Sequence, residues 1–192
     1  AMNAPISIDT RKAVVAESAL AAGADLINDI SALGEPELGT AVAAAGCPIV
    51  LMHSRGRLGS MQKNIDFTDV VYEVREELEL AIMRAVGAGI RRSQIVVDPG
   101  IGFGKTAEQN IALLGHLRTL TALGPVLVGA SRKSFIGDIT GAGVSDRLPG
   151  SLAAVARAAS QGASIVRVHD VAETAQFLNV WRAIADAQGE CP

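Results

Sequence analysis

Short apolar runs alternate with segments of helical periodicity along the whole chain. Six apolar runs predict strands, over residues 5–9, 24–30, 48–53, 94–98, 125–131 and 165–170. The intervening periodic segments predict helices, over residues 10–22, 35–45, 66–86, 107–120, 150–160 and 173–187. The connections over 54–65 and 132–149 show neither pattern and are predicted to be loops.

Six consecutive strand–helix units predict an α/β fold with a parallel sheet and crossover helices. The chain has 192 residues and no low-complexity linker, so we expect a single domain over residues 1–192. A complete eight-unit barrel takes about 250 residues. The pattern therefore leaves two alternatives, an open doubly wound sheet or a barrel without its first two units.

Composition excludes several classes of protein. Hydrophobic residues make up 49% of the chain and aromatic residues 3%, which predicts a core of aliphatic side chains. The net charge of −3 does not suggest a nucleic-acid partner, and no apolar run is long enough to span a membrane. Cys47 and Cys191 lack metal-site spacing, so a reducing, cytoplasmic setting is expected. Ala1 before Met2 is typical of an expression-tag remnant.

A glycine-rich stretch, Asp-Pro-Gly-Ile-Gly-Phe-Gly-Lys-Thr, follows the fourth strand at residues 98–106. Its alternating glycines let the backbone turn and approach a ligand. A phosphate-binding P-loop would need glycine where Pro99 stands. Residues 102–107 match a loose dinucleotide pattern, but the next strand ends without an acid for a ribose. The structural alternative is a glycine-rich connector with a solvated aspartate.

Every predicted strand ends in polar or charged side chains. In chain order these are Asp9, Asn28 with Asp29, His53, Asp98, Ser131 to Lys133, and Arg167 with His169. The carboxyl ends of parallel strands form the functional face of α/β folds, so we expect these residues to converge. A helix N-cap or a solvated strand end explains one such residue more readily than all six sets.

The chemistry of these side chains indicates group transfer. Acceptors suited to a flat heterocycle rich in N–H groups come from Asp9, Asn28 and Asp98. Positive charge suited to a phosphate or pyrophosphate comes from Arg132, Lys133, Arg167 and His169. Met52 and Phe103 are candidates for the faces of a planar ligand.

Several motifs, taken together, closely resemble the dihydropteroate synthase family. They are the 98–106 stretch, Ser-Arg-Lys-Ser-Phe-Ile-Gly at 131–137, Gly-Ser-Leu-Ala at 150–153 and Ile-Val-Arg-Val-His-Asp at 165–170, with Ile-Ser-Ile-Asp-Thr at 6–10, Ile-Asn-Asp-Ile at 27–30 and Leu-Met-His at 51–53 before them. The resemblance implies a TIM barrel that condenses 6-hydroxymethyl-7,8-dihydropterin pyrophosphate with p-aminobenzoate and releases pyrophosphate. This is the step of folate biosynthesis that sulfonamides block.

The resemblance also implies roles for individual residues. The pterin would contact Asp9, Asn28, Met52, Asp98, Phe103, Gly129 and Lys133. p-Aminobenzoate would contact Phe103, Ser131 and Lys133. Pyrophosphate would bind at Arg167, Val168 and His169. The catalytic residues would be Asp98, Lys133, Arg167 and His169, and the last helices would pair two subunits in a homodimer.

The sequence also departs from the family pattern. Family members carry two earlier βα units, whose loops supply an Asn that helps to bind Mg²⁺ and a mobile segment that closes on p-aminobenzoate. Nothing in the 192 residues matches these units. We therefore expect about six units of the barrel, Mg²⁺ as the implied cofactor without a ligand in this sequence, and reduced or no turnover.

Two other functions and several residues are left open. A pterin-dependent methyltransferase domain shares the fold and the acidic pterin contacts, although its chemistry has no use for a pyrophosphate site. A catalytically silent pterin-binding fragment or assembly module fits the missing units. His53 is either an anion ligand or a core histidine, and Arg55, Arg57 and Lys63 lie in a basic loop without an assigned role.

Overall fold

The computed structural model describes residues 4–56 and 66–187 of the chain. Its strands are β1 (Ser7–Asp9), β2 (Leu26–Asp29), β3 (Ile49–Met52), β4 (Ile95–Asp98), β5 (Leu127–Val128) and β6 (Ile165–Val166). Its α-helices are α1 (Ala13–Ala21), α2 (Pro36–Ala45), α3 (Val70–Gly87), α4 (Ala107–Gly115), α5 (Ser134–Thr140), α6 (Leu148–Ser160) and α7 (Val171–Ala187). Short 3-10 helices lie at Arg92–Gln94, Leu117–Leu123 and Val144–Asp146. In the described part of the chain, every helix is too short or too polar to cross a membrane.

The strands lie side by side in chain order, and all of them run parallel. β1 to β4 form one ladder and β5 pairs with β6. A parallel bridge between Val97 and Val126 connects the two ladders, and the Val97 amide donates to the Pro125 carbonyl at 3.0 Å. The predicted α/β class with a parallel sheet is confirmed.

The sheet curls so strongly that its first and last strands face each other. Arg167, just after β6, donates a hydrogen bond to Asp9 at the end of β1 at 2.5 Å. In a flat sheet these two strands would lie about 24 Å apart, too far for a single arginine–aspartate contact. The doubly wound alternative is therefore wrong, and the strands form the curved wall of a βα barrel.

The barrel wall is open between β1 and β6. Within the described ranges these two strands are edges and do not pair with each other. A cavity of about 250 Å³ lies inside the wall and is lined by residues of both edges, including Ser7 and Ile165. The expectation of about six barrel units is confirmed for this part of the chain.

Helix α3 shows how the apolar pattern produces the packing. Its positions Val74, Leu78 and Ile82 repeat every four residues and are buried in the core. The helix begins at Val70 rather than at residue 66, because Asp69 is its N-cap and accepts hydrogen bonds from two backbone amides of the first turn.

One predicted loop is partly wrong. Residues 132–149 contain helix α5, whose Phe135 and Ile136 are buried. The helix packs closely on α6, because a Cβ added to Gly150 would lie only 2.3 Å from the Cγ2 atom of Ile136. Only seven residues form α5, too few to show a helical period, and tertiary packing stabilises it.

Candidate functional site

Two neighbouring strand ends bring Asp9 and Asn28 together. They are partners in the register of β1 and β2, and the Asn28 side-chain amide donates to Asp9 Oδ1 at 2.8 Å. Asp9 Oδ2 accepts the bond from Arg167. Asn28 Oδ1 is buried and accepts no hydrogen bond from any residue that the structure describes. An unsatisfied buried acceptor costs about 1–3 kcal/mol, so this oxygen indicates a place for a donor on a ligand.

Asp98 is a buried carboxylate at the end of β4. It lies opposite Met52 in the register of β3 and β4 and is 5% exposed. Its Oδ1 atom accepts a hydrogen bond from the Gly100 amide at 2.7 Å. Burial raises the pKa of Asp98 to about 6, and the positive charges of Lys105, Lys133 and Arg167 oppose that rise. Near neutral pH the site therefore holds a carboxylate with little solvation, which favours a ligand that donates N–H groups.

Lys133 and Phe103 form a cation–π pair beside Asp98. The Lys133 ammonium nitrogen lies 4.2 Å from the centroid of the Phe103 ring. Burial lowers the pKa of Lys133, while the Asp98 carboxylate raises it. The Phe103 ring therefore lies against Lys133, whose charge also acts on Asp98.

The ends of β5 and β6 contribute the remaining predicted residues. The Ser131 hydroxyl oxygen lies 3.0 Å from His169 Nδ1 and accepts a hydrogen bond from the His169 backbone amide at 3.3 Å. Gly129 faces Arg167, since a Cβ on this glycine would lie 3.9 Å from the Arg167 Cβ. Val168 lies between Arg167 and His169 and is half-buried. The structure thus brings the predicted site residues to one edge of the sheet.

Arg132 behaves differently from its neighbours. Its guanidinium pairs with the Asp170 carboxylate, with Nε donating to Oδ2 at 3.1 Å and a second contact to Oδ1. Asp170 raises the pKa of Arg132, so the two charges are matched within the protein. This ion pair connects the loop after β5 to the loop after β6, and the contribution of Arg132 to phosphate binding stays a prediction.

The alternating glycines serve the packing of two loops. Gly100 has a φ of +67°, and a Cβ there would lie 1.9 Å from the His53 carbonyl oxygen. Gly104 has a φ of +63°, and a Cβ there would lie 2.6 Å from the Arg55 carbonyl oxygen. At Gly100 and Gly104 the close approach is therefore to the backbone after β3, whereas a Cβ at Gly102 would lie 3.0 Å from Lys133 Cδ.

Three residues next to the site were not assigned from the sequence. His53 is buried, with Nε2 3.0 Å from Glu77 and Nδ1 2.9 Å from the Lys105 ammonium, so the core-histidine alternative is favoured. Arg55 pairs with Glu73 and Glu77, and its charge is therefore matched. Lys105 is only 3% exposed, and nothing in a glycine-rich motif indicates that its lysine points inward. Arg57, Lys63 and Cys191 lie outside the described residues.

The described part of the chain has no cluster of side chains typical of a metal site. Within residues 4–56 and 66–187, no three His, Cys, Asp or Glu side chains lie close enough together to hold an ion. The carboxylates of Asp9 and Asp98 are engaged instead by Asn28, Arg167 and the Gly100 amide. The described residues therefore do not fit a protein-held Mg²⁺ site.

Comparison with known proteins agrees with this geometry. The model of a family described as pterin binding enzymes matches residues 1–169. A dihydropteroate synthase of Synechocystis is 48% identical over 186 residues, which cover 95% of this chain and 64% of that protein. The crystal structure of dihydropteroate synthase from Stenotrophomonas maltophilia with bound imidazole superposes with a TM-score of 0.93 at 44% identity, over 95% of this chain and 70% of that one.

A second solved structure carries a ligand related to the chemistry of the site. It is a dihydropteroate synthase from Xanthomonas albilineans in complex with 7,8-dihydropteroate, with a TM-score of 0.87 and 45% identity. The superposition covers 94% of this chain and 66% of that one. The chain thus spans about two thirds of the length of these relatives.

Proposed function

Because this chain belongs to the pterin-binding enzyme family, we propose that it carries the pterin and pyrophosphate site of a dihydropteroate synthase. The proposed reaction of folate biosynthesis joins 6-hydroxymethyl-7,8-dihydropterin pyrophosphate to p-aminobenzoate and releases pyrophosphate. The observation that carries this proposal is the acceptor set of Asp9, Asn28 and Asp98, with the unsatisfied Asn28 Oδ1 among them. The 7,8-dihydropteroate bound to the Xanthomonas relative is the product that such a reaction would form.

In this proposal Asn28 and Asp98 recognise the donor edge of the pterin. A pterin presents an amino group and ring N–H groups in one plane, which need acceptors in fixed positions. Asn28 Oδ1 is free to accept, and the Asp98 carboxylate accepts charge-assisted hydrogen bonds, which are stronger than neutral ones. Met52, opposite Asp98 in the sheet, is proposed to contact a face of the ring.

The leaving group is an anion, and we expect it to bind the basic residues of the site. We assign the departing pyrophosphate to Arg167 and His169, with Val168 presenting its backbone between them. The bond between the pterin methylene carbon and the pyrophosphate oxygen breaks, and the oxygen takes the electron pair. The buried carboxylate of Asp98 and the bound anion stabilise the positive charge that develops on the methylene carbon.

The arylamine completes the reaction without a protein nucleophile. The amine nitrogen of p-aminobenzoate forms a bond to the methylene carbon, and the resulting ammonium then releases a proton to water. Phe103, Ser131 and Lys133 are the proposed contacts of this substrate, because they lie beside Asp98 and His169. The lysine ammonium would also attract the substrate carboxylate.

Magnesium is implied by the family but does not fit the described residues. If Mg²⁺ takes part, it would accompany the pyrophosphate and would need ligands from outside these residues. No step assigned here to Asp98, Arg167 or His169 depends on it.

A titration followed by a turnover assay tests the proposal. Calorimetry with 6-hydroxymethyl-7,8-dihydropterin pyrophosphate should show binding, and binding should weaken when the pyrophosphate is left off the pterin. A methyltransferase domain would bind the two pterins equally. Addition of p-aminobenzoate then distinguishes a synthase, which forms dihydropteroate, from a silent pterin-binding fragment, which does not. Absence of pterin binding would refute the proposal.

We further propose a homodimer, and we assign its contact surface to α4, α5 and α6, three of the last four α-helices. An apolar groove lies between α4, α5 and α6, and its walls include Ile111 and Ile139, which are 45% and 63% exposed. Large exposed aliphatic side chains of this kind are typical of protein–protein contacts. Analytical ultracentrifugation would measure the assembly directly.

A cytoplasmic location stays a prediction. Cys47 is half-buried and carries a free thiol. Burial raises the pKa of that thiol, which makes it less reactive. The sequence also lacks a disulfide framework, which is typical of proteins in a reducing compartment. Microscopy of a fluorescent fusion in the native host would test this location.

A further inference from the structure

Lys105 is a buried ammonium group with a complete set of acceptors. It donates to the Gly100 carbonyl at 3.1 Å and to the Phe103 carbonyl at 3.0 Å, and it lies 2.9 Å from His53 Nδ1. An ammonium has three N–H groups, so three acceptors satisfy it fully. Two of these acceptors belong to the turn that connects Asp98 to the Phe103 ring.

The third acceptor is itself held in place. His53 Nδ1 accepts from Lys105, so the ring proton must lie on Nε2, which donates to Glu77 at 3.0 Å. Burial lowers the pKa of His53, which agrees with a neutral ring. Glu77 also accepts from Arg55 Nε at 2.9 Å. Helix α3 is thereby connected through β3 to the Gly100–Phe103 turn.

We propose that Lys105 is a positioning residue, whose ammonium fixes the Gly100–Phe103 turn and thereby places Asp98 and Phe103 for the pterin. The proposal rests on the function proposed above and adds a residue that does not itself contact the substrate. Its charge has a second effect, because it favours the ionised form of the Asp98 carboxylate. A lysine at this position therefore acts on both the shape and the charge of the site.

Several charged groups act on Asp98 and Lys105. Besides Lys105, the charges of Lys133 and Arg167 face Asp98. Asp98 and Glu77 favour the charged form of Lys105, whereas Arg55 and the burial of the group oppose it. Burial is the larger effect and lowers the pKa of Lys105 to about 7. Removal of the Lys105 charge should raise the pKa of Asp98, because one of three nearby cations is lost and only Lys133 and Arg167 remain.

The test compares Lys105→Met with the native chain and with Arg75→Met, which removes a positive charge that pairs with Glu76 on α3. Calorimetric titration with 6-hydroxymethyl-7,8-dihydropterin pyrophosphate is carried out between pH 5 and 9. Hydrogen exchange of the backbone amides of residues 100–104 is measured without ligand. Arg75→Met should bind as the native chain does.

We expect Lys105→Met to bind about tenfold more weakly or worse at pH 6, where the native Lys105 is charged. The pH at which affinity falls by half should rise by about one unit, because Asp98 becomes harder to ionise. The amides of residues 100–104 should also exchange faster. A merely structural lysine would lower affinity equally at every pH, and that result would overturn the proposal. Native-like affinity and exchange in Lys105→Met would overturn it as well.

A second pair of variants covers the case in which Lys105→Met does not fold. In His53→Gln the side-chain oxygen accepts from Lys105 and the amide donates to Glu77, so binding should stay close to native. In His53→Leu the lysine loses its third acceptor, and binding should weaken with faster exchange in the turn. Equal behaviour of these two variants would refute the proposal. If the native chain itself binds no pterin at any pH, the proposed function fails, and this inference with it.

Discussion

Replacement of Asp98 by Asn should have opposite effects on binding and on stability. The carboxylate is nearly isosteric with the amide, so the change removes a charge and a hydrogen-bond acceptor but little volume. The ionised carboxylate favours a ligand that donates N–H groups, but it is costly to bury in the free protein. The variant should therefore bind pterin more weakly and fold more stably at neutral pH.

The magnitude of the binding effect follows from the hydrogen bonds at stake. Bonds to a charged group contribute about 1.5–3 kcal/mol each. The amide accepts on one oxygen only, and its NH₂ group would face a donor of the pterin. Loss of one such bond corresponds to about 10- to 150-fold weaker binding.

The stability effect has a sign that depends on pH. Burial raises the pKa of Asp98 from 3.8 to about 6 in the folded state. A group with a raised folded pKa contributes its full stability below the unfolded pKa and loses it as the pH rises through the folded value. Two pKa units correspond to about 3 kcal/mol, so Asp98→Asn should gain up to about that free energy of unfolding at pH 8. The gain should disappear towards pH 4.

Two measurements check this reasoning. Calorimetry should show that native affinity for the pterin pyrophosphate falls about tenfold between pH 7 and pH 5, as Asp98 takes up a proton, whereas the affinity of Asp98→Asn changes much less. Urea unfolding at pH 8 and pH 4 should give the stability difference. Asp138→Asn, which changes an exposed carboxylate on α5, is the control. Unchanged pterin affinity in Asp98→Asn, or a stability difference that is the same at both pH values, would refute the reasoning.

Three further predictions concern the leaving group, the assembly and the core. Arg167→Ala should weaken binding of the pterin pyrophosphate by about tenfold or more and leave the pterin without pyrophosphate much less affected, as measured by calorimetry; equal losses for both ligands would argue against the anion site. Ile139→Asp should shift the sedimentation coefficient towards that of a monomer, whereas Val144→Asp, at a residue that is 59% exposed and does not line the groove, should not. Gly150→Ala should lower the free energy of unfolding by about 1–3 kcal/mol, because its Cβ would lie 2.3 Å from a methyl carbon of α5. Gly87→Ala, whose Cβ would have open space, should not destabilise the protein, and an equal loss in both variants would contradict the packing argument.

The sequence predicted the strands and their order well, because each strand lies in an apolar run of its own. It also predicted which polar residues lie together at the carboxyl ends of the strands, since the ends of parallel strands meet at one edge of the sheet. Strand lengths were overestimated. The run over 125–131, for example, contains only the two residues of β5 and the bridge residue Val126 before them.

Some features of the structure could not be predicted from local sequence patterns. Helix α5 is too short for a period and depends on the packing of Ile136 against Gly150. The inward direction of Lys105 depends on carbonyls and a histidine ring that come from other parts of the fold. Arg132 looked like its neighbour Lys133, yet Asp170, which lies on the next strand's loop, matches its charge.

The sequence by itself therefore determined the class of fold, the parallel strand order and the set of polar residues at the strand ends, because these follow from periodicity and chain direction. Only the tertiary structure decided which charges remain available to a ligand. Within the described residues Asp98 and Lys133 form no salt bridge, whereas Arg55 and Arg132 are matched by carboxylates. The curl of the sheet, which brings Asp9 and Arg167 into contact, also depends on the tertiary structure. It arises from the summed twist of six strands and not from any one of them.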